Sequence, residues 1–79
     1  MKEKLSFVSN NMKSFRARAN LTQEDTAKLL GVSRATYNDY EVNPQNVKIE
    51  TFSKLSKIFH CRIVDFFVEI NVTNSDSNN

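Results

Sequence analysis

The sequence predicts a small all-α protein, and three observations carry that expectation. Apolar residues recur at spacings of three and four along residues 7–19, 48–59 and 62–70, the period of a helix buried on one face. Between the first two of these segments, Thr22, Asp25, Gly31 and Ser33 stand where caps and a turn divide residues 23–41 into two short helices. With 79 residues in all, the chain has room for one domain, close to the size at which a single core barely sustains itself.

In residues 7–19, Val8, Met12, Phe15 and Ala19 fall on one stripe and define the first helix. Asn20 follows, and asparagine is the non-glycine residue best able to take the left-handed conformation that ends a helix. Leu21 then turns into the core. Thr22 with Asp25 three residues on is a capping-box start. Ala27, Leu30 and the stem of Lys28 fall at helical spacing in the second helix, and small Ala27 permits a close helix crossing. Gly31 ends that helix, Val32 folds back onto its apolar face and Ser33 caps the next. The turn is about three residues long, as a helix-turn-helix requires. In the third helix Tyr37 and Tyr40 face inward, their hydroxyls reaching solvent or a phosphate, while Arg34, Ala35, Asn38 and Asp39 face outward.

Residues 42–47 read as a loop stiffened by Pro44. In residues 48–59, Ile49, Phe52, Leu55 and Phe59, with Ile58 beside them, make a fourth helix that closes the core, and His60 ends it. Residues 62–70 place Ile63, Phe66, Phe67 and Ile70 on one stripe with Val64 and Val68 alongside, a fifth helix with more apolar surface than a small core absorbs. Phe67, Val68 and Ile70 are therefore expected to form a homodimer contact. Residues 68–72 also alternate apolar and polar, which leaves a short strand across a dimer open. Residues 1–70 make the domain, and the polar residues 71–79 read as a disordered tail.

Charge is unevenly spread. Residues 1–57 hold ten Lys or Arg against six Asp or Glu, and residues 58–79 hold one against three. That asymmetry suits a phosphate-facing surface on the part containing the helix pair. No apolar run reaches the length of a membrane span and the first residues lack a signal-peptide core, so the protein is expected in the cytosol. Cys61 is the only cysteine, which excludes an internal disulfide, and His60 beside it has no further Cys or His to complete a metal site. No glycine-rich phosphate loop, paired nucleophile and base or carboxylate pair suggests an enzyme, and no cofactor is expected.

Residues 23–41, with Gln23 opening the first helix, Ala27, the Gly31-Val32-Ser33 turn, Tyr37, Tyr40 and a closing Glu41, resemble the helix-turn-helix of the phage repressor and Cro-type family, called XRE-like. The likeness runs from about Val8 to about Phe67. Thr26 and Tyr37 depart from it, since the family has leucine and an aliphatic residue there, and Asn20, Asn43 and His60 stand at usual family glycines. The resemblance implies a five-helix DNA-binding domain and a sequence-specific regulator, most simply a dimeric repressor on an approximately palindromic duplex operator. It implies DNA contacts from Gln23, Ser33, Arg34, Ala35, Thr36, Asn38, Asp39, Asn43 and Lys48, and an ion pair between Arg16 and Glu41. Arg34 at the start of a helix laid in the major groove can bond both guanine acceptors or a phosphate, Ala35 can meet a thymine methyl, and Asn38 can pair with adenine or reach the backbone. Thr36 flanks the helix with either role open. Asp39 would accept from a cytosine amino group or pair with a neighbouring base such as Arg34. The resemblance implies that Gln23, Asn43 and Lys48 contact phosphates, which would fix register without reading sequence. The alternative is an antitoxin or anti-repressor of the same fold that grips a protein partner through its apolar C-terminal segment.

Overall fold

The computed structural model describes residues 5–69. Within them, four α-helices and two short 3-10 segments follow one another: α1 (Ser6–Arg18), α2 (Gln23–Leu30), α3 (Arg34–Val42), a 3-10 turn (Pro44–Asn46), α4 (Ile49–Phe59) and a second 3-10 segment (Ile63–Phe67). The fold is all-α, as expected, with one helix fewer.

Backbone chemistry sets the helix boundaries. The Thr22 side chain accepts from the Asp25 N–H at 3.0 Å while the Asp25 carboxylate accepts from the Thr22 N–H at 3.0 Å, so two donors at the start of α2 are satisfied reciprocally. Those bonds hold the exposed Asp25 carboxyl below its ordinary value. Gly31 at φ 80° closes α2 in the left-handed conformation. Ser33 caps α3 by accepting from the Thr36 N–H. Asn20 and His60 both sit at φ 60°, so each fills a family glycine position in the backbone conformation glycine would adopt. Asn43 does not; its φ is −126°.

Val8, Met12, Ala27, Tyr37, Phe52, Leu55, Phe59 and Phe66 form the buried core, with Leu21, Leu30 and Val32 packed against it. Three sequence expectations need correction. Ile49 does not join the core but stays 59% exposed, because it is the first residue of α4 and lies past the edge of the cluster that Phe52 begins. Lys28 is exposed, and Thr26 is buried beside Ala27 instead. A buried hydroxyl is tolerable here because it donates to the Thr22 carbonyl at 3.0 Å, one turn back.

The third correction is the fifth helix. The apolar spacing of residues 62–70 predicts a helix, yet only Ile63–Phe67 coil, as a 3-10 segment, and Val68 and Glu69 are extended or irregular. The Asn11 amide of α1 donates to the carbonyls of Phe66 and Val68, both at 2.9 Å, and weakly to that of Asp65. A side chain from another helix thus takes the carbonyls that further helical turns would have used. Ile63, Val64 and Val68 are β-branched and give little local support to a helix. Asp65 caps the start of the segment by accepting from the Arg62 N–H and guanidinium. Phe66 is fully buried, its ring 5.6 Å from Phe15, 5.3 Å from Phe52 and 6.3 Å from Phe59. The anticipated contact at Ile70, the strand alternative over 68–72 and the tail 71–79 lie wholly or partly outside the described residues.

Candidate nucleic-acid interface

The helix pair α2–α3 presents one continuous outward face. On α3 the exposed residues are Arg34, Ala35, Thr36, Asn38 and Asp39, preceded by exposed Ser33, while Tyr37 is fully buried and Tyr40 half-buried. The helix is anchored from beneath by two rings in edge-to-face contact, 6.2 Å apart, so neither tyrosine is a base-stacking surface. Lys48 is exposed at the start of α4, and Asn43 is half-buried at the end of α3. A shallow cleft opens between the end of α1 and the starts of α2 and α3, lined by Arg16, Asn20, Thr22, Gln23, Glu24 and Arg34. Arg34 and Gln23 both line this cleft.

Beneath this face lies a buried carboxylate. Glu41 is fully buried and accepts four hydrogen bonds: from Arg16 Nε at 2.7 Å and Nη2 at 3.3 Å, from the Tyr37 hydroxyl at 2.6 Å and from Gln23 Nε2 at 2.9 Å. Burial alone would raise its carboxyl, but these bonds, led by Arg16, outweigh it and hold the group below its ordinary 4.5. The Arg16 guanidinium is correspondingly raised by its bond to Glu41. Burial, reinforced by the bond to Glu41, pushes the Tyr37 phenol far up, so it stays a donor at any physiological pH. Arg16 also donates to the Leu21 carbonyl at 3.1 Å, and the Ser9 hydroxyl donates to the Glu41 carbonyl. One acidic side chain therefore joins α1, α2 and α3.

The spacing of Tyr37 and Glu41, four apart on one helix, puts the phenol over the carboxylate. The sequence expectation that the Tyr37 hydroxyl reaches solvent or phosphate is corrected: it is the internal partner of Glu41. Tyr37 departs from the family's aliphatic residue, and the departure supplies a third donor to a buried charge. The sequence reading names neither Ser9 nor Asn11, because each acts through a hydroxyl or amide whose partner is set by packing, and it marks Thr26 only as a departure from the family's leucine, without the local bond to the Thr22 carbonyl.

Several outward residues already hold one another. Ser33 donates to the Thr36 hydroxyl at 2.9 Å. Asp39 accepts from the Asn43 amide at 2.8 Å, so among the described residues its partner is Asn43 rather than Arg34. Gln23 Nε2 donates to Asn38 Oδ1 at 3.0 Å as well as to Glu41. Cys61 is a half-buried thiol raised by burial and by the nearby Asp65 charge, and among the described residues no cluster of His, Cys, Asp or Glu suits a metal.

Two short helices joined by a left-handed glycine turn, the second capped by Ser33 and held over a buried carboxylate, define a helix-turn-helix domain. The helix-turn-helix family model matches residues 12–66. Over 61 residues the chain is 41% identical to "Uncharacterized HTH-type transcriptional regulator MJ0272" of Methanocaldococcus jannaschii, covering 77% of this chain and 92% of that protein. It is 33% identical over 70 residues to "Cryptic phage CTXphi transcriptional repressor RstR" of Vibrio cholerae, covering 89% of this chain and 59% of that protein. It is 38% identical over 48 residues to "Antitoxin HipB" of Escherichia coli K12, covering 61% of this chain and 54% of that protein. No solved structure matches the chain. The chain belongs to the XRE-like, repressor/Cro-type helix-turn-helix family. It is a DNA-binding regulator and not an enzyme, and among the described residues no helix is long and apolar enough to cross a membrane.

Proposed function

We propose that the protein is a dimeric, sequence-specific repressor that lays α3 in the major groove of an approximately palindromic operator. The observation that carries this reading is the outward face of α3, where Arg34, Ala35, Thr36, Asn38 and Asp39 stand exposed around the buried Tyr37. Arg34 reads guanine, a pairing worth about 1–3 kcal/mol of discrimination, and Ala35 meets a thymine methyl. Ser33, Asn43 and Lys48 border the phosphates, with the backbone N–H of Gln23 at the start of α2 beside them, and Arg34 and Gln23 line the same shallow cleft. Two copies joined through the C-terminal segment set their α3 helices about 34 Å apart, one turn of duplex. Occupying a promoter in this way requires no chemistry.

The test is selection of bound sequences from a random duplex pool at two salt concentrations, with Arg34→Ala as comparison. Wild type enriches a palindrome, and the variant loses preference at one base pair per half-site while keeping its fold. Binding without any enriched sequence, steeply weakened by salt, would leave only the phosphate term and overturn the reading.

A second reading is supported by the likeness to HipB and by the apolar surface at Val64, Phe67 and Val68, which are 53%, 40% and 48% exposed. In it the surface takes a protein partner instead of a second copy. Doubly replaced Val64→Asp and Val68→Asp protein separates the two, because both side chains are about half exposed and neither belongs to the core cluster, so the fold is spared. On the dimer reading, sedimentation gives half the wild-type mass and affinity for the full palindrome falls. If wild type and variant are both monomers with equal DNA affinity, the dimer reading fails and the partner reading is the one left to test.

A further inference from the structure

The hydrogen bonds beneath the reading face have a fixed polarity. Ionised Glu41 can only accept, so the Gln23 atom 2.9 Å from it must be the amide nitrogen, Nε2. That same nitrogen lies 3.0 Å from Asn38, and an amide nitrogen does not accept, so Asn38 must turn its oxygen toward Gln23. The two hydrogens of Gln23 Nε2 are thereby used, one on each partner. What remains for Asn38 is its Nδ2 amino group, on an exposed side chain and with no partner among the described residues.

From this geometry we infer that Gln23 is a positioning residue that sets Asn38 as a hydrogen-bond donor, so that Asn38 selects guanine, whose major-groove edge offers two acceptors, over adenine. The inference rests on the DNA reading proposed above. An asparagine pairs with adenine by offering its oxygen to N6–H and its nitrogen to N7, side by side. Here the oxygen is directed at α2, and turning the amide over would set two amino groups against each other. Guanine presents N7 and O6 to the major groove, both acceptors, and suits an outward amino group. The buried charge thus reaches the base edge through two amides: carboxylate to Gln23 nitrogen, Asn38 oxygen to Asn38 nitrogen. Asn38 stands one turn after Arg34 on the same helix, so the two contacts fall on neighbouring base pairs. The expected half-site has guanine at both.

Selection from a random duplex pool tests this, using the full chain, Asn38→Ala, Gln23→Ala and Asn38→Asp, with folding followed by circular dichroism. Asn38→Ala identifies the base pair concerned by relaxing it, and wild type has guanine there. Gln23→Ala frees the Asn38 amide to rotate, so adenine competes and the guanine-to-adenine ratio falls by about fivefold or more, with other positions unchanged. Asn38→Asp keeps the bond from Gln23 but turns the outward group into an acceptor, which shifts the preference to cytosine. Adenine at that position in wild type would overturn the inference. So would a Gln23→Ala protein that binds every sequence more weakly with base ratios unaltered, since Gln23 would then be a phosphate contact alone. Failure of wild type to enrich any sequence overturns the DNA reading itself, and this inference with it.

Discussion

Glu41→Ala is expected to destabilise the domain by about 3–5 kcal/mol, the cost of removing one partner from a buried ion pair. Chains of this kind are stable by roughly 0.05–0.15 kcal/mol per residue, so for 79 residues the loss is a large part of the total. Three donors lose their acceptor at once: the Arg16 guanidinium, the Tyr37 hydroxyl and the Gln23 amide. Tyr37 suffers most, because its hydroxyl is fully buried and loses its only acceptor among the described residues. Urea unfolding gives the magnitude, and a loss below about 1 kcal/mol, the size of an ordinary exposed pair, would refute the account. Arg16→Met alone leaves the carboxylate buried and unpaired, and the double variant recovers part of the sum. A cycle with zero interaction energy would mean that Arg16 and Glu41 act independently despite their 2.7 Å separation.

The same group gives a pH dependence of known sign. Its carboxyl is lower in the folded protein than its ordinary 4.5, so its stabilising contribution is fully present above that value and is lost as pH falls through the lower folded value. The carboxyls of exposed Asp25 and half-buried Asp65 are lowered too and act in the same direction. The thermal midpoint is therefore expected to hold steady down to about pH 5 and to fall below it, with a shallower fall in Glu41→Gln.

What was legible in the sequence was mostly local. Thr22, Asn20, Gly31, Ser33 and His60 mark helix ends because a cap or a left-handed residue depends on the few peptide groups beside it, and all five sit as expected. The Arg16–Glu41 proximity was legible only through family likeness, since 25 residues separate the two. The fifth helix was misread because periodicity reports which residues are buried, not the path that buries them. Phe66 does enter the core, yet the carbonyls around it are held by Asn11, 55 residues away. The direction of the amides in the candidate site escaped for a related reason. Nothing near Asn38 in sequence says which of its two polar atoms faces outward; that is decided by Glu41 through Gln23.

Phe66→Ala is expected to cost about 3–5 kcal/mol, in the range for emptying a phenylalanine site in a packed core. Its ring is fully buried against Phe15 of α1 and Phe52 and Phe59 of α4, so the cavity would lie where two helices and the C-terminal segment meet. The loss also has a local part. Besides the Asn11 amide and the packing of neighbours such as Ile63, Phe66 is what ties residues 63–69 to the domain, and freeing it displaces Val64, Phe67 and Val68 together. Amide exchange should therefore rise first in residues 63–67, before α2 and α3 are affected, and any assembly through that surface should weaken even where the helices remain folded. Phe67→Ala is the control. Its ring packs on Phe52 at 4.9 Å but is 40% exposed, so it should cost clearly less. Equal losses from the two substitutions would mean that the core does not close over Phe66 as described.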